Sequence, residues 1–333
     1  PFGYPASARS FLAFAGLARF HIMYAALLSS PATWREQIRL PHSTVLQMRI
    51  AFALAAVTLI PGIPLAAVIF RQLRDAVGWI AAAGAIGILW SVLTTFGLAL
   101  LHIPLTVFSV GSMSALPALI VSLRRPLRRH ARETVRGLSL EPGSVFVAAV
   151  TVVILSVPFL TVQQGLPTGD IQKAIHWGSR ILTTGRLPHY SEALSWNRDP
   201  ADFATPGLHA LTAGVMALSG ETARGPAWFA LLAAVLLAGL AASLASLLRF
   251  QRLQFLPTLA FVFAVSQPRF LRYITVPGYH YQNLIGEIIL LLAFTAILFL
   301  LTPVQKPRTR AGPWVILVGS VAALPFVHQF TAF

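Results

Sequence analysis

The sequence predicts an all-α, polytopic α-helical membrane protein of about eight to nine transmembrane helices, with a large outer loop containing two juxtamembrane helices. Three observations predict it. First, 56% of the 333 residues are hydrophobic and only 11% are charged, against about 25% charged in a typical soluble domain. One soluble core cannot hide so much apolar surface, so lipid must solvate much of it. Second, apolar runs recur at the length that crosses a bilayer core, about 20 residues. Third, arginine clusters between those runs. The composition excludes a soluble globular enzyme and a disordered chain. With no cysteine, it also excludes a disulfide scaffold, a thiolate nucleophile and a cysteine metal site. The net charge of +15 alone would suggest a nucleic-acid binder. Its placement between apolar runs assigns it to loops at the membrane face instead.

Each element can be justified in order. The chain begins at Pro1 rather than Met and stops at Phe333, just past an apolar segment, and is expected to be a piece of a longer membrane protein. Residues 1–49 hold one ambiguous stretch, Phe11–Ser29, apolar but carrying Arg19 and His21. It is either a poor span or an interfacial helix. Residues 50–141 form an accessory transmembrane region with predicted spans Ile50–Phe70, Ala76–Leu101 and Leu105–Leu123. Residues 142–333 form the transmembrane core. Its spans are Val145–Val162, Trp228–Leu248 and Leu284–Leu301, with the shorter Phe255–Ser266 and Pro313–Val327 recruiting flanking residues.

Arginine sets the orientation. The run Arg124–Arg136 contains six arginines, and further clusters are Arg71/Arg74, Arg249/Arg252 and Lys306/Arg308/Arg310. Together these hold thirteen of the 25 basic residues. All four belong in the cytoplasm, at a cell membrane. Thr205–Leu218 is apolar enough to suggest a span, but crossing would put Arg249 and Arg252 outside. Its 14 residues also match an interfacial or re-entrant piece. It is therefore expected to lie against the outer surface. The outer face then receives one large loop, Gln163–Ala227, and a second, Gln267–Asn283.

The large loop holds five of the ten acidic residues, Asp170, Glu192, Asp199, Asp202 and Glu221. It also holds Lys173, Arg180, Arg186, His176, His189 and His209. A plain connector does not need this density of titratable groups, whereas chemistry or polar-ligand binding does. Within the loop, Asp170–Thr184 reads as an amphipathic helix. Ile171, Ala174, Ile175, Gly178 and Leu182 form its apolar stripe, with Lys173, His176 and Arg180 on the opposite face. Such a helix lies on the membrane with its polar face to water. Thr205–Leu218 is a second helix, with Pro206 in its first turn and Gly220 past its end. Gly185–Ala204 between them is irregular. Asp170 has two readings from position alone, a helix N-cap or a functional acid at the membrane face. His176 and Arg180, each taken alone, read more simply as solvated polar-face side chains.

The order of these features is one that a known family shares. Gly169-Asp170 follows a span, and a helix then ends in Thr184-Gly185-Arg186-Leu187-Pro188. After it come Thr205-Pro206-Gly207-Leu208-His209 and a further span. From about Val145 to Phe333 the chain resembles the polytopic C-class (GT-C) glycosyltransferases, among them protein O-mannosyltransferases and lipid A aminoarabinose transferases. The resemblance implies a polyprenyl-phosphate-linked sugar donor, inversion at the sugar carbon, and Asp170 as catalytic base. The acceptor is a glycan, lipid or protein. A carboxylate within reach can take the proton of an acceptor hydroxyl during attack. Arginine can hold the departing phosphate with paired donors. Lys173, His176, Arg180, His209, Arg272, Tyr279, His280 and Glu287 are the candidate substrate-binding residues.

One departure from the family pattern concerns metal. Several members hold a divalent ion with acids of the second outer loop, and Gln267–Asn283 has none. No cofactor is therefore expected, and the Asp199/Asp202 pair carries little weight. Glu287, about a turn into the next helix, is expected to line a polar cavity rather than snorkel to the surface. Two other functions compete. A transporter or flippase would use Glu287, the Pro61-Gly62-Ile63-Pro64 break and the small residues Gly84, Gly87, Ala238 and Ala242. A non-catalytic assembly subunit would explain the missing acid. The concentration of ionisable groups in an outer loop, not at mid-membrane, favours the enzyme.

Overall fold

The computed structural model describes residues 44–70, 73–140, 142, 144–146, 148–149, 152–153, 170–187, 205–222, 224–247, 281–301 and 311–327. Ten helices are bounded among them: α1 (Thr44–Val57), α2 (Leu59–Ile69), α3 (Ala76–Leu100), α4 (Val107–Leu123), α5 (Arg125–Arg136), α6 (Asp170–Thr184), α7 (Pro206–Ser219), α8 (Arg224–Leu247), α9 (Tyr281–Leu301) and α10 (Ala311–Val327). No described element is a strand. Three helical stretches, Thr44–Ile69, α3 and α9, are long and apolar enough to cross a membrane, or up to five if each of two bent helix pairs counts as one span. The chain is thus an all-helical protein with several membrane-spanning candidates. Of the predicted spans, Phe11–Ser29 and Phe255–Ser266 lie outside the described residues, as does most of Val145–Val162.

The first span is broken where proline dictates. A proline has no N–H to give to the carbonyl four residues back, and its ring pushes that carbonyl aside. Pro61 does this to Val57, the last residue of α1, and Thr58 forms the turn between α1 and α2. The released Val57 carbonyl accepts a 2.9 Å hydrogen bond from the buried Ser91 hydroxyl of α3. Pro117 inside α4 frees the Met113 carbonyl in the same way, and it accepts a 2.9 Å bond from Trp90 Nε1. Adjacent side chains of α3 thus repair two proline breaks in two neighbouring helices. Glycine makes the approach possible. A Cβ on Gly87 would meet the Thr58 carbonyl, and one on Gly62 would meet the carbonyl of Ala83. Gly84 seats Leu236 of α8. These small residues are accounted for by helix packing.

The bundle has two distinct ends. At one, α2 closes and α3 begins. Ser139 N–H donates to the Arg74 carbonyl at 2.8 Å, and Ala76 N–H donates to the Ser139 carbonyl at 2.9 Å. Asp75 caps α3 through Gly78 N–H at 3.0 Å. Phe70 stacks on Phe299 near the end of α9, and Gly312 of α10 sits on Ile69. The arginine helix α5 is here too, turned 100° from α4. At the other end Phe96 stacks on Phe326, Phe229 meets Tyr281 edge-on, and α6 and α7 pack together. Arg74 and the Arg124–Arg136 run therefore share an end, opposite α6, as the arginine argument requires. Arg249, Arg252 and Lys306–Arg310 fall outside the described residues.

Candidate functional site

Helix α6 spans Asp170–Thr184, the bounds read from its amphipathic pattern. Its stop is local chemistry. Gly185 adopts φ +68°, a left-handed conformation that glycine takes without steric cost, and its N–H donates to the Ile181 carbonyl at 2.8 Å. The Thr184 hydroxyl donates to the Arg180 carbonyl at 2.7 Å. The Thr184-Gly185-Arg186 motif is thus a helix C-cap. Asp170 opens the helix rather than preceding it.

Helix α7 overturns one expectation. It does not lie on a surface. Every residue from Gly207 to Ser219 except the half-exposed Ala217 is buried, and α7 touches α1, α3, α4, α6, α8 and α10. The physical reason is its composition. A helix apolar on all sides has no face to offer water, so protein covers it all round. Gly220 ends it with φ +69°, donating to the Met216 carbonyl at 2.8 Å. The chain then turns 116° into α8.

α6 crosses α7 at Gly178. A Cβ there would lie 3.2 Å from Ala213 N, 3.3 Å from Met216 Sδ and 3.4 Å from the His209 carbonyl. The bare glycine lets the two backbones meet, and three side chains converge beside the crossing. Trp177 is buried, with its ring 6.4 Å from that of His209. The Arg180 guanidinium carbon stands 6.0 Å from the Trp177 ring centre, a cation–π distance. His176 meets Trp177 edge-on at 5.3 Å.

The candidate residues separate accordingly. Lys173 and His176 are exposed and Arg180 is half-buried, which fits the predicted polar face. His209 is buried, 4% exposed, not displayed on a surface helix. Glu287 stands exposed between buried Gly286 and Ile288. A helix buries the side that meets its neighbours, and position 287 falls on the other side of α9. Arg272, Tyr279 and His280 lie outside the described residues, as do Asp199 and Asp202. Among the described residues no three His, Asp or Glu side chains are grouped to hold a metal ion.

Sequence reasoning missed Trp177. The buried stripe of α6 is Ile171, Ala174, Trp177, Gly178 and Ile181, while Ile175 and Leu182 are only half-buried. Spacings of three and four from Ile171 would have found it. Tyr281 was read as a loop residue. It is the fully buried first residue of α9, beside Thr212 of α7. Compared with known families, curated proteins and solved structures, the chain matches none.

Proposed function

We propose that the protein is a membrane glycosyltransferase that moves a sugar from a polyprenyl-phosphate-linked donor to an acceptor hydroxyl at the outer membrane face. The observation that carries this reading is the α6–α7 crossing. It gathers Arg180, Trp177 and His209 at the bundle end opposite the arginine helix, the first two on the helix that Asp170 opens and His209 on α7. Asp170 and Arg180 are ten residues apart, about 15 Å along the helix at 1.5 Å per residue. Arg180 leans back over Trp177, one turn nearer Asp170. A guanidinium so placed can hold a lipid phosphate while the carboxylate serves the acceptor.

In the step itself Asp170 takes the hydroxyl proton as the acceptor oxygen attacks the sugar carbon. The bond from that carbon to the phosphate oxygen breaks, and the charge left on the phosphate falls to Arg180, assisted by Lys173 and His176.

The test is the Asp170→Asn variant. It keeps the shape and the ability to accept a hydrogen bond but removes the proton acceptor, a contribution of about 10²–10⁴-fold in rate. A folded, inserted protein with little transfer from a polyprenyl-phosphate sugar is expected, and full activity would refute the base assignment. One observation favours a second reading. The short buried helix α7, bent sharply into α8, is the kind of interrupted element that transporters use. Uptake of the lipid-linked sugar into proteoliposomes without transfer to acceptor would select it.

A further inference from the structure

Helix α5 carries charge in a one-sided pattern that orientation alone does not require and the proposed reaction does not use. Arg125, Arg128, Arg129, Arg132 and Arg136 are spaced i, i+3, i+4, i+7 and i+11. At 3.6 residues per turn they fall on one face of the helix, about 18 Å long. All five are exposed. The opposite face, Leu127, Ala131 and buried Thr134, packs towards α2 and α4. Among the described residues one carboxylate stands beside the stripe, Glu133, at 2.9 Å from Arg129. It neutralises one arginine and leaves four.

The setting identifies the counter-charge. A single residue, Arg124, separates α4 from α5, which turns 100° from it, so the two helices cannot both run along the bundle. Large apolar side chains at the same level are uncovered. Leu123 is 73% exposed and Leu140 72%. Apolar groups that reach the acyl boundary beside a row of guanidinium groups are the features of an interfacial helix on an anionic leaflet. Guanidinium pairs bidentately with phosphate.

We propose that α5 is a headgroup-binding helix that holds anionic phospholipid against this end of the bundle. It would surround the bundle end with acidic lipid and fix the depth of α4. The interaction is electrostatic, so it strengthens with leaflet charge and weakens with salt.

The test uses the whole chain reconstituted in phosphatidylcholine with spin-labelled phosphatidylglycerol or spin-labelled phosphatidylcholine as probe. The expected result is preferential association of the phosphatidylglycerol probe, abolished at high salt. The variant R128Q/R132Q, which retains three arginines of the stripe, should weaken that preference about 25-fold, roughly fivefold per charge. No preference in the native chain, or one unchanged in the variant, would overturn the proposal. Tighter binding of an oligonucleotide than of the lipid, in competition, would overturn it in favour of a nucleic-acid surface. A second measurement does not depend on that variant. The chain has no cysteine, so Arg132→Cys takes a single spin label. A nickel-chelating headgroup lipid should relax that label strongly. Relaxation by a water-soluble nickel chelate alone would place the stripe in bulk water and refute the assignment.

Discussion

Two helix pairs in this chain are joined across a sharp bend, α4–α5 at 100° and α7–α8 at 116°, yet their short helices end in opposite environments. α5 leaves the bundle and exposes its arginines. α7 enters the bundle and is covered by six other helices. The bend does not decide this, since it is similar in both. Side-chain chemistry does. α5 has one narrow apolar face, so only Thr134 is buried. α7 is apolar all round, and a cylinder with no polar side is stable only inside protein or lipid. The consequence for chemistry is direct. Charge on α5 is displayed, whereas Arg180 and His209 near α7 lie against the Trp177 ring.

The sharpest way to break this comparison is to put the same carboxylate on both short helices. Leu211 of α7 is 0% exposed, and Leu211→Asp buries a charge with nothing designed to meet it. A loss above about 4 kcal/mol is expected, seen as failure to recover folded, monodisperse protein. Arg132→Asp on exposed α5 should shift detergent-solubilised stability by no more than about 0.5 kcal/mol. Comparable losses in the two variants would mean that α7 is not buried as described.

The next largest effect concerns the crossing itself. Gly178→Val adds a branched side chain where a single Cβ already lies 3.2 Å from Ala213 N. Overpacking of this kind costs about 1–3 kcal/mol. Gly178→Ala should cost less, because Met216 is flexible enough to yield a few tenths of an ångström. Thermal unfolding of the two variants measures the difference. If valine is tolerated as well as alanine, α6 does not rest on α7.

The contrast also marks what the sequence makes legible. The bounds of α6 could be read because its signals are local, an amphipathic stripe from Ile171 and a left-handed glycine at 185. The spans Ala76–Leu101 and Leu284–Leu301 were legible from length and apolarity, and they appear as α3 and α9 within three residues at each end. The surroundings of α7 were not. Its bounds come within one residue, but periodicity tells which side chains are apolar and not what covers them. Trp177 and His209 meet because two helices distant in sequence cross at a glycine, and nothing near either residue announces the other. The exposure of position 287 was not legible for the same reason, since the side of α9 that meets α3 and α8 is decided by those helices. The proline motif was visible, but the break falls at Thr58, because Pro61 acts on the carbonyl four residues before it.

That repair gives a smaller, separable effect. Ser91→Ala leaves the buried Val57 carbonyl without its hydroxyl donor. A cost of about 1–2 kcal/mol is expected, at a site in the body of the bundle and not on the arginine helix. Combined with Arg132→Asp it should simply add, because the two share no partner. Non-additivity would mean that the α1–α2 break and the arginine helix respond to each other, and that the two ends are not independent.

The smallest effect sharpens the exposed side of the comparison. Glu133 accepts a 2.9 Å hydrogen bond from Arg129 Nε, with His130 Nδ1 at 3.6 Å. The Arg129 bond holds the Glu133 carboxyl below its ordinary value of 4.5. A carboxyl lowered in the folded state contributes its stabilisation above the unfolded value. That contribution is lost as the pH falls through the lowered folded value. Because the pair is solvent-exposed, the contribution is small, as for other surface pairs. Arg129→Gln should therefore raise the Glu133 titration midpoint towards 4.5 while leaving thermal stability at neutral pH nearly unchanged. Carboxyl carbon shifts across an acid titration would follow it. A midpoint that does not move would show that Arg129 is not paired with Glu133 in solution, and the stripe would then present five uncommitted guanidinium groups instead of four.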